Sequence, residues 1–315
     1  MELRHLRYFI AVAEEGHITR AAERLDMEQP PLSRRIKAIE EELGAQLFRR
    51  KPRGVELTDA GRAFLDKARA VFASLDNAVQ TTRRTARGEQ GRICVGVTPT
   101  SPFHPFVPHA IRAFRDAFPL VTVTLEEGQT NELIEHLRHA QIDVAFIRSP
   151  PSDPEGLAVF PLLEEAMVVA LPSKHALAQG GRHAPIPLSA LASEVFIIQG
   201  GRQGLGLYAA AIAACRAAGF SPRVGPEAPR LASTLNLVAV GLGVSFVPAS
   251  LQRLQIDGVT YRRLKAPIQL KSPLQVASRR GDPSAVVGHF LGLARRAAKS
   301  FRRTTRPNAR SNQVM

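Results

Sequence analysis

The chain has no tryptophan, three tyrosines and two cysteines, Cys94 and Cys215, in 315 residues. Two thiols exclude a disulfide framework, and a structural zinc site needs four ligands at close spacing, so both are expected to be buried and reduced. Scarce tyrosine and absent tryptophan weaken recognition of single-stranded nucleic acid by base stacking. No apolar run approaches the roughly 18 residues of a membrane span. The opening Met-Glu-Leu-Arg-His lacks the basic-then-apolar order of a secretory signal, so a cytoplasmic protein with no membrane partner is expected. Catalytic signatures are missing too: there is no Gly-x-Ser-x-Gly elbow, no Walker loop and no His-Glu-x-x-His pair. Gly200–Gly206 lacks dinucleotide-binding glycine spacing, and His104, His109, His136 and His139 read as surface or satisfied core residues. No enzyme activity, cofactor or metal is expected.

What is present is enough chain for about two domains, with a hydrophobic share of 44% and a charged share of 22%. The net charge is +14, and its placement is uneven. Residues 1–90 carry 17 basic and 14 acidic side chains, 91–294 carry 18 and 14, and 295–315 carry 7 and none. Half the excess therefore sits in a C-terminal tail read as a solvated, disordered appendage.

Near the N-terminus the spacing predicts three short helices. Leu3, Leu6, Phe9, Ile10 and Ala13 share a face before Gly16; Ala21, Ala22 and Leu25 share a second; Leu32, Ile36, Ile39 and Leu43 share a third, stopped by Gly44. In the third, Glu28 is the N-cap, and Pro30 and Pro31 fall where an N–H would have had no intrahelical partner. Its outer face presents Gln29, Pro30, Ser33, Arg34 and Lys37. Gln pairs bidentately with adenine, Arg with guanine, and a proline can meet a thymine methyl. Arg49, Arg50, Lys51, Pro52, Arg53 and Gly54 form the tip of a predicted hairpin, placed to meet phosphate or the minor groove. From Thr58-Asp59 a long helix carries Phe64, Ala68, Val71, Leu75, Ala78 and Thr82 at heptad steps, a seam suited to pairing with a second copy.

From Arg92 strands alternate with helices, which implies a parallel or mixed α/β sheet, and about 200 residues of this pattern imply two lobes with a cleft between them. Strands are expected at Ile93–Val97, Val121–Leu125, Ile142–Ile147, Ala166–Leu171, Val195–Ile198, Val244–Val247 and Val259–Leu264, with helices ending at Phe118 and spanning Thr130–His139, Gly206–Ala218 and Leu231–Val240. Three polar segments open predicted helices: Thr98–Ser101, Gln129–Asn131 and Gly200–Gly206. Helix N-termini bearing Thr, Ser or Gly can cradle a carboxylate, and Arg148 at a strand end offers a counter-charge. Together they make a ligand-pocket hypothesis.

The run Ile18–Gly44, followed by Leu47-Phe48-Arg49-Arg50 and Leu57-Thr58-Asp59-Ala60-Gly61, resembles the N-terminal domain of LysR-type transcriptional regulators. Glu28 departs from that pattern, which commonly has Ser there, and its carboxylate would repel a phosphate. The resemblance implies an α/β protein with an N-terminal all-α winged helix-turn-helix, a long linker helix and a two-lobed effector domain like periplasmic binding proteins. On that basis residues 1–58 bind DNA, 59–90 dimerise, 91–300 form the effector domain, and 301–315 form a basic tail. Lobe I is placed at about 91–162 and 267–300, lobe II at about 163–266. Asp143–Arg148, Gly206-Leu-Tyr208 and Val247-Pro-Ala-Ser250 are similar to the branch that senses benzoate, muconate and related acids. Thr98, Thr100, Ser101, Thr130 and Arg148 then line an effector pocket, with Arg202 beside it. Implied partners are double-stranded operator DNA, a small-molecule carboxylate, further copies as a dimer or tetramer, and RNA polymerase for an activator. Two other classes remain open: an enzyme with an appended DNA-binding domain, such as a biotin ligase that doubles as a repressor, and an architectural DNA protein without a ligand.

Overall fold

A computed structural model describes residues 1–151, 153–179, 184–199, 205–228, 230–267 and 270–304. Two compact units emerge, Met1–Arg83 and Arg84–Met315, with the division inside one continuous helix.

In the first unit α1 (Leu3–Glu15), α2 (Ile18–Arg24) and α3 (Gln29–Leu43) enclose Leu6, Phe9, Val12, Ala21, Ala22, Leu32, Ile36 and Ile39. Left-handed Gly16 and Gly44 end α1 and α3, as the spacing predicts. Between α2 and α3 the chain turns through Asp26, which takes φ 51°. Strands β1 (Phe48–Lys51) and β2 (Gly54–Leu57) pair antiparallel as the expected hairpin. Two contacts fix it. Glu40 on α3 accepts from the Leu47 and Phe48 amides at 2.7 and 3.0 Å, and the Val55 amide donates to the Gly16 carbonyl at 2.9 Å. Gly54 takes φ +134°, and a Cβ there would lie 2.2 Å from that same carbonyl oxygen, so this position demands glycine.

Helix α4 (Asp59–Ala86) begins behind Thr58, whose hydroxyl accepts from the Gly61 amide at 2.9 Å. The expected pairing seam divides here. Ala68 is buried and Phe64 packs edge-on against Phe9, so these two belong to the core of their own unit rather than to a dimer face. Only past them does the seam emerge, with Val71, Leu75 and Val79 exposed by about two-fifths each, and Ala78 exposed beside them. The helix-turn-helix covers the first turns of α4 and leaves the rest without a cover of its own.

The second unit contains β3 (Gln90–Val97), α5 (Phe106–Ala117), β4 (Leu120–Glu127), α6 (Thr130–Arg138), β5 (Val144–Ile147) and β6 (Leu157–Pro172). It continues through β7 (Val195–Gln199), α7 (Leu205–Ala217), β8 (Arg223–Ala228), α8 (Leu231–Ala239), β9 (Ser245–Pro248), β10 (Val259–Arg263), β11 (Lys271–Arg279) and α9 (Ala285–Thr304). Sheet order is β10-β6-β11-β5-β3-β4, with β9 also on β6, and β7 pairs with β8. β3, β4 and β5 run parallel, and β11 runs antiparallel to β5 and β6.

The long strand β6 serves both lobes. Its first part, to Ala166, pairs with β11, and its remainder, from Met167, pairs with β9 and β10. Lobe I packs α5 and α9 on one sheet face through Phe106, Phe114, Phe146 and Phe290, and α6 on the other through Leu133, Leu137 and Ile147. Every residue of β5 is buried, as its unbroken apolar run foretells. Lobe II centres on Val168, Ala170, Ile197, Leu235, Val238 and Val247.

Several expectations are corrected. β6 starts nine residues before the predicted Ala166, and β8, β11 and α9 add to the elements expected from the pattern. The basic tail, placed at 301–315, is helical through Thr304: Phe301 packs on the lobe I core, and Arg302 donates to the Leu162 carbonyl. Cys94 is only half-buried, although Cys215 is buried and its thiol is pushed up to about 11 by desolvation. Among the described residues no helix is long and apolar enough to cross a membrane.

Candidate functional site

Two surfaces carry the residues singled out in the sequence, one in each unit. In the first unit Gln29, Pro30, Arg34 and Lys37 stand exposed on α3, and Ser33 is half-buried beside them. Glu28 starts the helix without a side-chain cap bond, which two early prolines make inexpensive. On the hairpin Arg49, Arg50 and Arg53 are exposed. Lys51 pairs with Glu56 at 2.5 Å and Lys37 with Glu41 at 3.5 Å. Among the described residues no ion pair holds Arg34, Arg49, Arg50 or Arg53, so these guanidinium groups are available to phosphates or base edges. Glu40, which sets the hairpin against α3, has no recognition role in the sequence; a carboxylate on an amphipathic helix gives no hint that it will accept two amides of a neighbouring strand.

In the second unit the predicted pocket residues gather at the carboxyl ends of β3 and β5. Thr98, Thr100, Ser101 and Arg148 are all buried. The Ser101 hydroxyl donates to the Thr98 carbonyl at 3.0 Å, while Thr98 Oγ1 is buried without a partner among the described residues. Arg148 donates through Nη2 to the Thr100 carbonyl at 3.1 Å and through Nη1 to Ser272 Oγ at 3.3 Å. Thr130 opens α6 and accepts from the Ser149 hydroxyl at 3.2 Å, which links it to the end of β5. Arg202 and the Gly200–Gly204 segment lie outside the described residues. Thr98–Ser101 does not open a long helix as expected, because Ser101–Phe103 is a single 3-10 turn before α5.

The sequence reading missed the acidic member of this cluster. Glu165 on β6 pairs with Arg148 at 2.6 Å, both side chains almost fully shielded. Burial lowers the Arg148 pKa, and Glu165 opposes that shift. Ser250 donates its amide and hydroxyl to the same carboxylate, at 2.8 and 3.1 Å. Nearby His104 is buried, and desolvation holds its pKa below the ordinary histidine value, against the attraction of Glu165 and with repulsion from Arg148 and Arg253. Among the described residues no cluster of His, Cys, Asp and Glu could hold a metal ion.

The chain matches two family models: "Bacterial regulatory helix-turn-helix protein, lysR family" over residues 3–62, and "LysR substrate binding domain" over 86–299. Among curated proteins it is 37% identical over 294 residues to the HTH-type transcriptional regulator AlsR of Bacillus subtilis (strain 168), covering 93% of this chain and 95% of that one. It is 36% identical over 293 residues to BudR of Raoultella terrigena, covering 93% and 100%. Among solved structures, full-length CbnR complexed with its target DNA superposes with a TM-score of 0.79 at 30% identity, covering 95% of this chain and 100% of that one. Free arginines on α3 and on the hairpin, the two-lobed α/β unit and matches along both segments have one reading: the chain belongs to the LysR family of DNA-binding transcriptional regulators, with a helix-turn-helix domain and a two-lobed effector-binding domain.

Proposed function

We propose that this regulator reads operator DNA through Gln29, Pro30, Ser33, Arg34 and Lys37 on α3, with Arg49, Arg50 and Arg53 holding the flanking backbone. In the second unit, a small aromatic carboxylate of the benzoate or muconate type binds beside Thr98, Thr100, Ser101, Thr130 and Arg148, with Arg202 nearby. Copies pair through the outer part of α4 and assemble further into a tetramer, which contacts RNA polymerase when it activates. The observation that carries the effector site is the convergence of buried polar groups where β3 and β5 end, the position at which α/β folds present ligands.

Calorimetry with a panel of benzoate-like and muconate-like acids, beside operator footprints with and without each, tests this. Thr100→Val and Thr130→Val each remove a hydroxyl and should weaken effector binding on the order of tenfold. Operator affinity without ligand should stay nearly unchanged. Binding of a neutral or cationic metabolite in place of every acid would overturn the carboxylate assignment.

A further inference from the structure

Helix α9 has two faces of unlike character. Val286, Val287, Phe290, Ala294 and Ala298 are buried in the lobe I core, with Leu291, Leu293, Ala297 and Phe301 packed against it. Arg295, Arg296, Lys299, Arg302 and Arg303 are all exposed, and at 3.6 residues per turn they share an arc of about 120° on the opposite side. Their like charges adjoin at i,i+3 and i,i+4 spacing, where they repel one another. No carboxylate relieves them. Residues 295–315 contain no Asp or Glu, and among the described residues no ion pair holds any of the five. On neighbouring elements Asp116 is taken by Arg112, Glu164 by Lys271 and Glu165 by Arg148.

The helix dipole accounts for only part of this row. Its attraction for cations is confined to the last turn, whereas Arg295 and Arg296 stand about two turns before the end of the helix at Thr304. Two of the five are held in place beforehand: Arg295 lies 4.5 Å over the Phe160 ring, and Arg302 donates to the Leu162 carbonyl. Along the axis the row spans about 12 Å, the rise of roughly three to four phosphates on one strand of a duplex.

From this we infer that the outer face of α9 is a second DNA contact of this regulator, gripping backbone phosphates of duplex DNA in addition to those met by the helix-turn-helix. No Asn or Gln accompanies the arginines on α9, so the face adds affinity without sequence preference. Duplex DNA fits better than an acidic lipid surface for two reasons. The apolar side chains of α9 are committed to lobe I and leave none on this face to insert. The helix-turn-helix also brings duplex DNA to the same chain, which raises its local concentration.

The test measures equilibrium binding of the full-length protein to a random-sequence duplex and to an operator duplex with long flanks, over a series of salt concentrations. Joint Arg296→Gln, Lys299→Gln and Arg303→Gln substitution removes three charges and spares the two arginines that hold lobe I. On both duplexes it should reduce the slope of log affinity against log salt by about 2–3, and weaken binding on the order of tenfold at moderate salt. Discrimination among single-base operator variants should stay as in the parent. Arg296→Lys with Arg303→Lys should keep the parental slope, which a packing defect in α9 would not allow. A control in lobe II, Lys174→Gln, Arg216→Gln and Lys265→Gln, removes the same net charge from exposed positions and should bind as the parent does. A parental slope in the α9 triple variant, or an equal loss in the lobe II control, would overturn the inference. So would an α9 triple variant that binds both duplexes normally but no longer binds phosphatidylserine vesicles, a result that would assign the face to a membrane.

Discussion

At the residue scale, side chains divide by whether a partner within the protein already satisfies them. Arg34 and Arg53 have no ion pair among the described residues, and the proposed reading gives the first a base edge and the second the DNA backbone. Arg34→Ala should cost about 1–3 kcal/mol at one operator base pair and relax sequence preference there. Arg53→Ala should weaken binding evenly across sequences and flatten its salt dependence. Equilibrium binding to single-base operator variants at several salt concentrations distinguishes these outcomes. His104 gives a pH prediction. Its folded pKa is lowered by burial, so as pH falls the unfolded chain takes up this proton before the folded one does. The stability tied to neutral His104 is present above the unfolded pKa of about 6.5 and is lost as pH falls toward the lowered folded value. Urea unfolding from neutral to mildly acid pH should show a smaller loss in His104→Gln than in the parent.

Elements show what a linear pattern can and cannot carry. Heptad spacing on α4 is correct as periodicity, yet the same stripe has two customers: Phe64 and Ala68 face the core of their own unit, and Val71, Leu75 and Val79 face outward. Nothing in the spacing marks the change. Paired Val71→Glu and Leu75→Glu should therefore yield folded protein that sediments at lower mass and loses cooperative operator binding. The same substitutions at Phe64 and Ala68 should instead unfold the first unit. Helix α9 is hidden for the opposite reason: its apolar positions Val286, Phe290, Ala294 and Ala298 recur at helical steps, but its second half is dominated by Arg295, Arg296, Lys299, Arg302 and Arg303. Arg295 stacks on Phe160 and Arg302 bonds the Leu162 carbonyl, so two of the exposed basic side chains also tie this helix to lobe I. Phe290→Ala should cost roughly 3–5 kcal/mol in denaturant unfolding, because its ring sits in the lobe I core.

Across the whole molecule, the fold class and the helix-turn-helix with its hairpin were legible because their signals are local. A turn between two helices, prolines at a helix start and an all-apolar strand each fit within a few residues. Glu165 was not legible, because its partners Arg148 and Ser250 lie 17 and 85 positions away in sequence and meet only through the sheet register. Ser250 closes the Val247–Ser250 segment, and only the fold gives it a partner, through its two bonds to Glu165. Coupling between ligand and DNA likewise belongs to this scale, since a ligand shifts an equilibrium only by the difference in its affinity for the two arrangements.

The shared strand β6 also settles how the effector domain is threaded. Ala166 and Lys271 are direct cross-strand partners, so the chain leaves lobe I and re-enters it at adjacent points of one antiparallel ladder. Everything between them is a guest inserted into what would otherwise be a plain β-hairpin. Joining the two residues with a two-residue Asn-Gly turn would close that hairpin and keep β6, β11, β5, β3 and β4 in their existing order. Lobe I is thus a complete host fold interrupted at a single point, and lobe II is open to exchange as a cassette.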